Sequence, residues 1–151
     1  MSTRDIIKEL IEKLYSESLR SGLNFHISQY DISGNNYLEA EDGTFLGNFS
    51  NKYDTNSIFN KYGIYGSKYS ATSIFNPYSQ YGSKYSPLSP VNRYTSTPPK
   101  IFINGNYYGR LSSNKYVSGA KPTDVFLFYV LNKMNLLDEK LDDLIDLISR
   151  M

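Results

Sequence analysis

The sequence predicts an α+β domain: a small antiparallel sheet of β-hairpins with sixteen-residue Tyr/Asn/Gly turn repeats, flanked by N- and C-terminal amphipathic helices. Three observations carry this. Apolar residues recur at three- and four-residue steps at both ends of the chain. Two short apolar runs are interrupted by Asp-Gly and Asn-Gly, the residues that tolerate the positive φ of a hairpin turn. Between them a segment rich in Asn, Ser, Gly and Pro repeats itself, which rules out a long helix or strand there. The 151 residues suit one domain with five parts. These are a helix at 1–22, strands and a hairpin at 24–50, turn repeats at 51–99, a second hairpin at 100–116 and helices at 122–151.

The first helix is written by Ile6, Ile7, Leu10, Ile11, Leu14 and Leu19, with Ser2 or Thr3 as its cap and Gly22 as its stop. Residues 24–32 read as a strand. Tyr37 to Ala40 and Phe45 to Phe49 read as a hairpin around Asp42-Gly43. Ile101 to Ile103 and Tyr107 to Leu111 read as another, around Asn104-Gly105-Asn106. Thr123 is placed to cap a helix whose run from Val125 to Leu131 is apolar all round and therefore buried, with a buried strand as the alternative. The last helix, Asp138 to Arg150, carries a seam of Leu137, Leu141, Leu144, Ile148 and Met151. Two heptads are short for a coiled coil, so packing on the first helix is the plainer expectation and a helix interface the sharper one.

The central repeat is the strongest signal. SIFNKYGIYGSKYS at 57–70 and SIFNPYSQYGSKYS at 73–86 agree at eleven of fourteen positions, sixteen residues apart. A third copy fades through residues 89–100. Gly66 and Gly82 are expected where a side chain has no room, with Ile58, Phe59, Ile74 and Phe75 as anchors. The hairpins resemble each other too. DGTFLGNFS at 42–50 matches NGNYYGRLS at 104–112, and both lead into Asn-Lys-Tyr, at 51–53 and 114–116.

These segments resemble a family of bacterial proteins of unassigned function. Its members carry tandem units of the form N-P-Y-G-x-Y-G-S-x-Y-S, separated by x-G-x-Y-L-G-x-L-S hairpins. The resemblance spans about residues 42–116 and departs from the pattern at Lys61, where the unit has Pro, and Ser79, where it has Gly. It implies a repeat architecture and assigns no residue a role.

Composition argues against most catalytic chemistry. Without Cys there is no disulfide, thiolate ligand or thiol nucleophile. His26 is the only histidine, so a histidine-rich metal site is excluded and the residue reads as packing or surface. Neither a phosphate-binding glycine loop nor a G-x-S-x-G elbow occurs. Glu39, Glu41 and Asp42 surround a turn, and Asp138, Glu139, Asp142, Asp143 and Asp146 form the polar face of the last helix. A carboxylate-dependent enzyme using such groups is the weakest expectation. No cofactor or metal is called for. With neither signal peptide nor membrane span, the expectation is a cytoplasmic chain without membrane insertion.

The lead toward function is an uneven charge. Residues 52–115 hold eight bases and one acid, although the whole chain is only +1. Eleven of the 15 Tyr fall between 52 and 116. Bases interleaved with aromatics suit single-stranded nucleic acid or nucleotides. The candidate contacts are Lys52, Lys68, Lys84, Tyr65, Tyr81, Arg93 and Arg110. The leading expectation remains a non-catalytic binding module acting through a protein partner or self-association (a homo-oligomer). Its candidate helix interface is Leu137, Leu141, Leu144 and Ile148.

Overall fold

The structure, a computed structural model, describes residues 2–20 and 35–151, the side chains of 18–20 excepted. The strand expected at 24–32, with His26, and the stop at Gly22 lie outside the described residues.

Helix α1 spans Thr3–Arg20. Ser2 caps it reciprocally: its hydroxyl accepts from the Asp5 N–H at 3.1 Å, and the Asp5 carboxylate accepts from that hydroxyl at 2.8 Å. The apolar stripe divides. Ile11 and Tyr15 are buried, whereas Ile6, Leu10 and Leu14 are exposed. Tyr15 stacks on Phe128 and donates to the Asp124 carbonyl at 2.9 Å.

Both hairpins form. Strands β1 (Tyr37–Glu39) and β2 (Phe45–Asn48) turn through Gly43 at φ 88°. Strands β3 (Lys100–Ile103) and β4 (Asn106–Ser112) turn through Asn104 and Gly105, at φ 53° and 78°. Two consecutive positive φ values make a two-residue turn whose twist matches the strands, so Asn106 belongs to β4 and not to the loop. β1 pairs antiparallel with β3, with Leu38 opposite Ile101, and this joins the hairpins into one sheet. A fifth strand, β5 (Ala120–Pro122), adds in parallel to give the order β2-β1-β3-β4-β5. Ala-Lys-Pro has no β-branched residue and no alternation, so the sequence carries no sign of it; proline is tolerated because the strand is at the edge.

Helices α2 (Thr123–Lys133) and α3 (Leu137–Ser149) follow. The apolar run of α2 is a helix and not the alternative buried strand. Thr123 is not a cap, however. Its side chain is buried and donates to the Pro90 carbonyl at 2.6 Å, tying the helix start to the repeats. In α3 the seam is already occupied: Leu137, Leu141, Leu144 and Leu147 are buried in the core, and Ile148 is half-buried against it. Its neighbours are α2 and the turn repeats. It meets α1 through ion pairs, Arg4–Asp142 at 3.2 Å and Lys8–Asp138 at 2.5 Å. Among the described residues, no helix is long and apolar enough to cross a membrane.

Candidate ligand-binding face

The repeat block is a string of linked turns with a period of three, nested inside the period of sixteen. Successive bonds close from Asn60 N–H to the Ser57 carbonyl, Gly63 to Asn60, Ser70 to Ser67, Ser73 to Ser70, and onward to Thr95 to Asn92. The first side chain of most triplets also accepts from the N–H two residues on. Examples are Phe59 to Ser57 Oγ at 3.0 Å, Tyr62 to Asn60 Oδ1 at 3.0 Å and Tyr78 to Asn76 Oδ1 at 2.9 Å. This is why Ser and Asn recur at every third place: their short acceptors satisfy a backbone N–H that no neighbouring strand can reach.

Five triplets make fifteen residues, and one glycine completes the sixteen. A Cβ at Gly66 would strike the Asn60 carbonyl group and lie 2.8 Å from the Ile58 oxygen. At Gly82 it would strike the equivalent Asn76 carbonyl and lie 2.7 Å from the Ile74 oxygen. The same two glycines present their carbonyls to α3. Gly66 accepts from Lys140 Nζ at 3.0 Å, and Gly82 accepts from Arg150 at 2.5 Å.

The triplets face two ways. Those led by Ser57, Ser73 and Ser89 send Ile58, Phe59, Ile74, Phe75 and Val91 into the core. Seven others share the form Asn/Ser, then Lys, Arg or Pro, then Tyr, and point outward. Their rings, Tyr53, Tyr62, Tyr69, Tyr78, Tyr85, Tyr94 and Tyr116, are 79 to 94% exposed. Such exposure is unusual for large rings and marks them as surface features, not packing. Five of them carry the preceding lysine ammonium 5.2–5.3 Å from the ring centroid: Lys52, Lys61, Lys68, Lys84 and Lys115.

Shallow clefts separate neighbouring rings. They lie between Tyr53 and Tyr62, Tyr62 and Tyr69, Tyr69 and Tyr78, Tyr85 and Tyr94, and Tyr94 and Tyr116, with volumes of 270 to 530 Å³. Helix α3 runs beside the series. Glu139 lines the first cleft, Asp142 and Asp143 the next two, Asp146 the third, and Arg150 the one at Tyr85.

The acids of α3 are compensated. Besides the two pairs with α1, Glu139 pairs with Lys52 at 2.9 Å, Asp143 with Lys140 at 2.6 Å and Asp146 with Arg150 at 3.3 Å. The Glu139 carboxylate holds Lys52 above the ordinary ammonium range. Burial pulls Lys140 below it, against the opposing pull of Asp143. Lys61, Lys68, Lys84, Arg93 and Lys115 have no ion pair among the described residues.

Of the residues singled out from sequence, Lys68, Lys84 and Arg93 lie on this face. Lys52 also lies there, though paired with Glu139. Three do not belong to it. Tyr81 is buried and donates to the Asp42 carboxylate at 2.9 Å, with the Thr44 hydroxyl 3.0 Å from its oxygen. Tyr65, its counterpart, packs edge-on to Phe45. Both are third residues of triplets that turn toward the sheet. Arg110 is held on the sheet by Glu41 at 2.8 Å and by the Pro98 carbonyl at 2.7 Å. The seam residues Leu137, Leu141 and Leu144 are likewise internal. Missed from sequence were all seven outward rings, Tyr53, Tyr62, Tyr69, Tyr78, Tyr85, Tyr94 and Tyr116. The signal was present in the triplet Asn/Ser-x-Tyr, which the longer repeat obscured.

Among the described residues, no group of three or more His, Asp or Glu side chains is arranged to hold a metal ion. No protein-family model matches the chain, and no curated protein or solved structure matches it either.

Proposed function

We propose that the chain is a non-catalytic binding module whose working face is the series of outward Asn/Ser-x-Tyr turns. One observation carries the reading. Seven rings stand almost fully in solvent on turns whose backbone is hydrogen-bonded beneath them, with clefts between five of the six successive pairs. Rings held on a rigid backbone lose little conformational freedom when a ligand enters, which favours binding. A ligand spanning several clefts is extended. Two of the carboxylates that would serve an enzyme are engaged elsewhere: Glu41 pairs with Arg110, and Asp42 accepts from Tyr81.

The test compares the native chain with a Tyr62/Tyr78/Tyr94/Tyr116→Ala variant on immobilised oligonucleotides, polysaccharides and peptides. The expected result is a ligand held by the native chain and lost by the variant, with unchanged circular dichroism and melting. A native chain that holds nothing, or a variant that keeps every ligand, overturns the reading.

A further inference from the structure

The two ends of the tyrosine series differ in charge, and the sixteen-residue repeat hides this. Around Tyr62, Tyr69 and Tyr78 the clefts are walled by Asp142, Asp143 and Asp146. The cleft between Tyr85 and Tyr94 is lined by Lys84, Arg93 and Arg150, and the one between Tyr94 and Tyr116 by Arg93 and Lys115. No acidic side chain lines either. These two clefts share Arg93 and Tyr94 and therefore adjoin. Their combined lining includes three exposed rings and three cations that have no ion pair among the described residues, with Arg150, paired to Asp146, and Met151 beside the first cleft.

We propose that this end, Tyr85–Tyr94–Tyr116 with Lys84, Arg93 and Lys115, binds single-stranded nucleic acid. The inference rests on the binding-face reading above and names its ligand. The chemistry required is a polymer that offers flat faces and negative charges in alternation. A single strand does so: bases enter between rings, and phosphates meet the cations. A duplex hides its base faces in its own stack, so the rings have nothing to enter. A neutral polysaccharide uses the rings but leaves the cations idle; a sulfated one meets both, but its sugar faces stack on the rings less extensively than a planar base does, and heparin is the comparator for it. At the other end the clefts are lined by acids as well as lysines, so a phosphate gains less there than in the two clefts lined by cations without acidic side chains.

The repeat-equivalent lysines are thus not equivalent in function. Lys52 is taken by Glu139, and Lys68 faces Asp142, Asp143 and Asp146. Only Lys84 of that sixteen-residue set stands in a cleft free of acidic side chains.

The experiment is fluorescence anisotropy of a labelled oligothymidylate across a salt series, with heparin and a duplex of equal length as comparators. The native chain is expected to bind the single strand in preference to both. With three phosphate contacts, the slope of log K against log salt should be about −2. Lys84/Arg93/Lys115→Glu should abolish binding. Each of Tyr85, Tyr94 and Tyr116→Ala should weaken it about tenfold. Lys61/Lys68→Glu, at the acid-walled end, should change it by less than about threefold. All these side chains are exposed, and matching melting curves confirm that the variants fold.

Absence of binding at low salt overturns the inference, as does preference for heparin or duplex. Equal loss in Lys61/Lys68→Glu overturns the placement at this end. If the oligothymidylate fails while the four-tyrosine variant still loses another ligand, the nucleic-acid inference falls and the binding face stands. If that variant loses nothing, both fall.

Discussion

Lys140 donates to the carbonyl of Gly66 at 3.0 Å from a position only 1% exposed. Its ammonium also pairs with Asp143 at 2.6 Å and lies 4.0 Å from the centroid of Phe75. A charge so deep stays in place only because all of its neighbours are suited to it. Lys140 is therefore the pin between α3 and the repeats. Lys140→Ala is expected to cost about 3 kcal/mol, since it leaves Asp143 and the Gly66 carbonyl without their partner. Lys140→Met keeps the apolar stem against Phe75 and should cost about half as much. Urea denaturation of both variants measures the difference.

Gly66 and Gly82 are needed for space, whereas Gly43 is needed for its backbone angle. Alanine at Gly66 or Gly82 drives a Cβ into main chain and should destabilise by about 2–3 kcal/mol. Alanine at Gly43 meets no atom within 4 Å but must adopt φ 88°, at a cost of about 1–2 kcal/mol. Thermal melts of the three single variants should rank them in that order. Equal values would show that the Asn60 and Asn76 carbonyls give way easily to a Cβ.

Asn76 and Tyr78 belong to one turn yet carry different loads. The Asn76 side chain donates to the Ser70 carbonyl and accepts from the Tyr78 N–H, each at 2.9 Å. Asn76→Ala removes both bonds in a buried setting and should cost about 2 kcal/mol. Tyr78→Ala removes a ring that is 94% exposed and should change stability by less than about 0.5 kcal/mol. Chemical denaturation separates them, and a large loss for Tyr78→Ala would mean that the outward rings hold the fold.

Asp54 gives the fold a pH dependence of known sign. Its carboxylate accepts from the Asn56 N–H at 2.8 Å, then from the Ser50 hydroxyl at 2.8 Å and the Asn48 amide at 3.3 Å. These bonds hold its pKa below the ordinary aspartate range, the Asn56 N–H most strongly. The unfolded chain thus takes up the proton first as pH falls. The contribution to stability is full above about 3.9, the unfolded value, and is lost as pH falls through the lower folded value. Melting temperature against pH should drop less steeply in Asp54→Asn over that acid range. Parallel curves would exclude Asp54 from the linkage.

Much of this architecture was legible because it is local. Asp42-Gly43 and Asn104-Gly105 demand positive φ, so both hairpins could be placed from their turns. Val125 to Leu131 is too long and too uniformly apolar to be anything but buried. The repeat announced ordered turns through Asn, Ser and Gly alone. What stayed hidden depends on partners distant in sequence. β5 has no pattern of its own and exists because β4 offers an edge. Thr123 has the composition of a cap but is claimed by the Pro90 carbonyl, thirty-three residues earlier.

The candidate face shows the same division. From its sequence alone, the protein is determined to be an α+β chain with Tyr-rich turn repeats, because turn chemistry and hydrophobic spacing act between near neighbours. Only the tertiary structure decided which tyrosines are surface and which are core. Tyr81 and Tyr85 sit in adjacent triplets with similar local turns, but the first reaches Asp42 on the sheet and the second reaches solvent. It alone decided that Lys52, Lys68 and Lys84 differ, since the acids that distinguish them arrive on α3 from more than fifty residues away. A turn sets where a side chain starts, and the packing of remote elements sets what it meets.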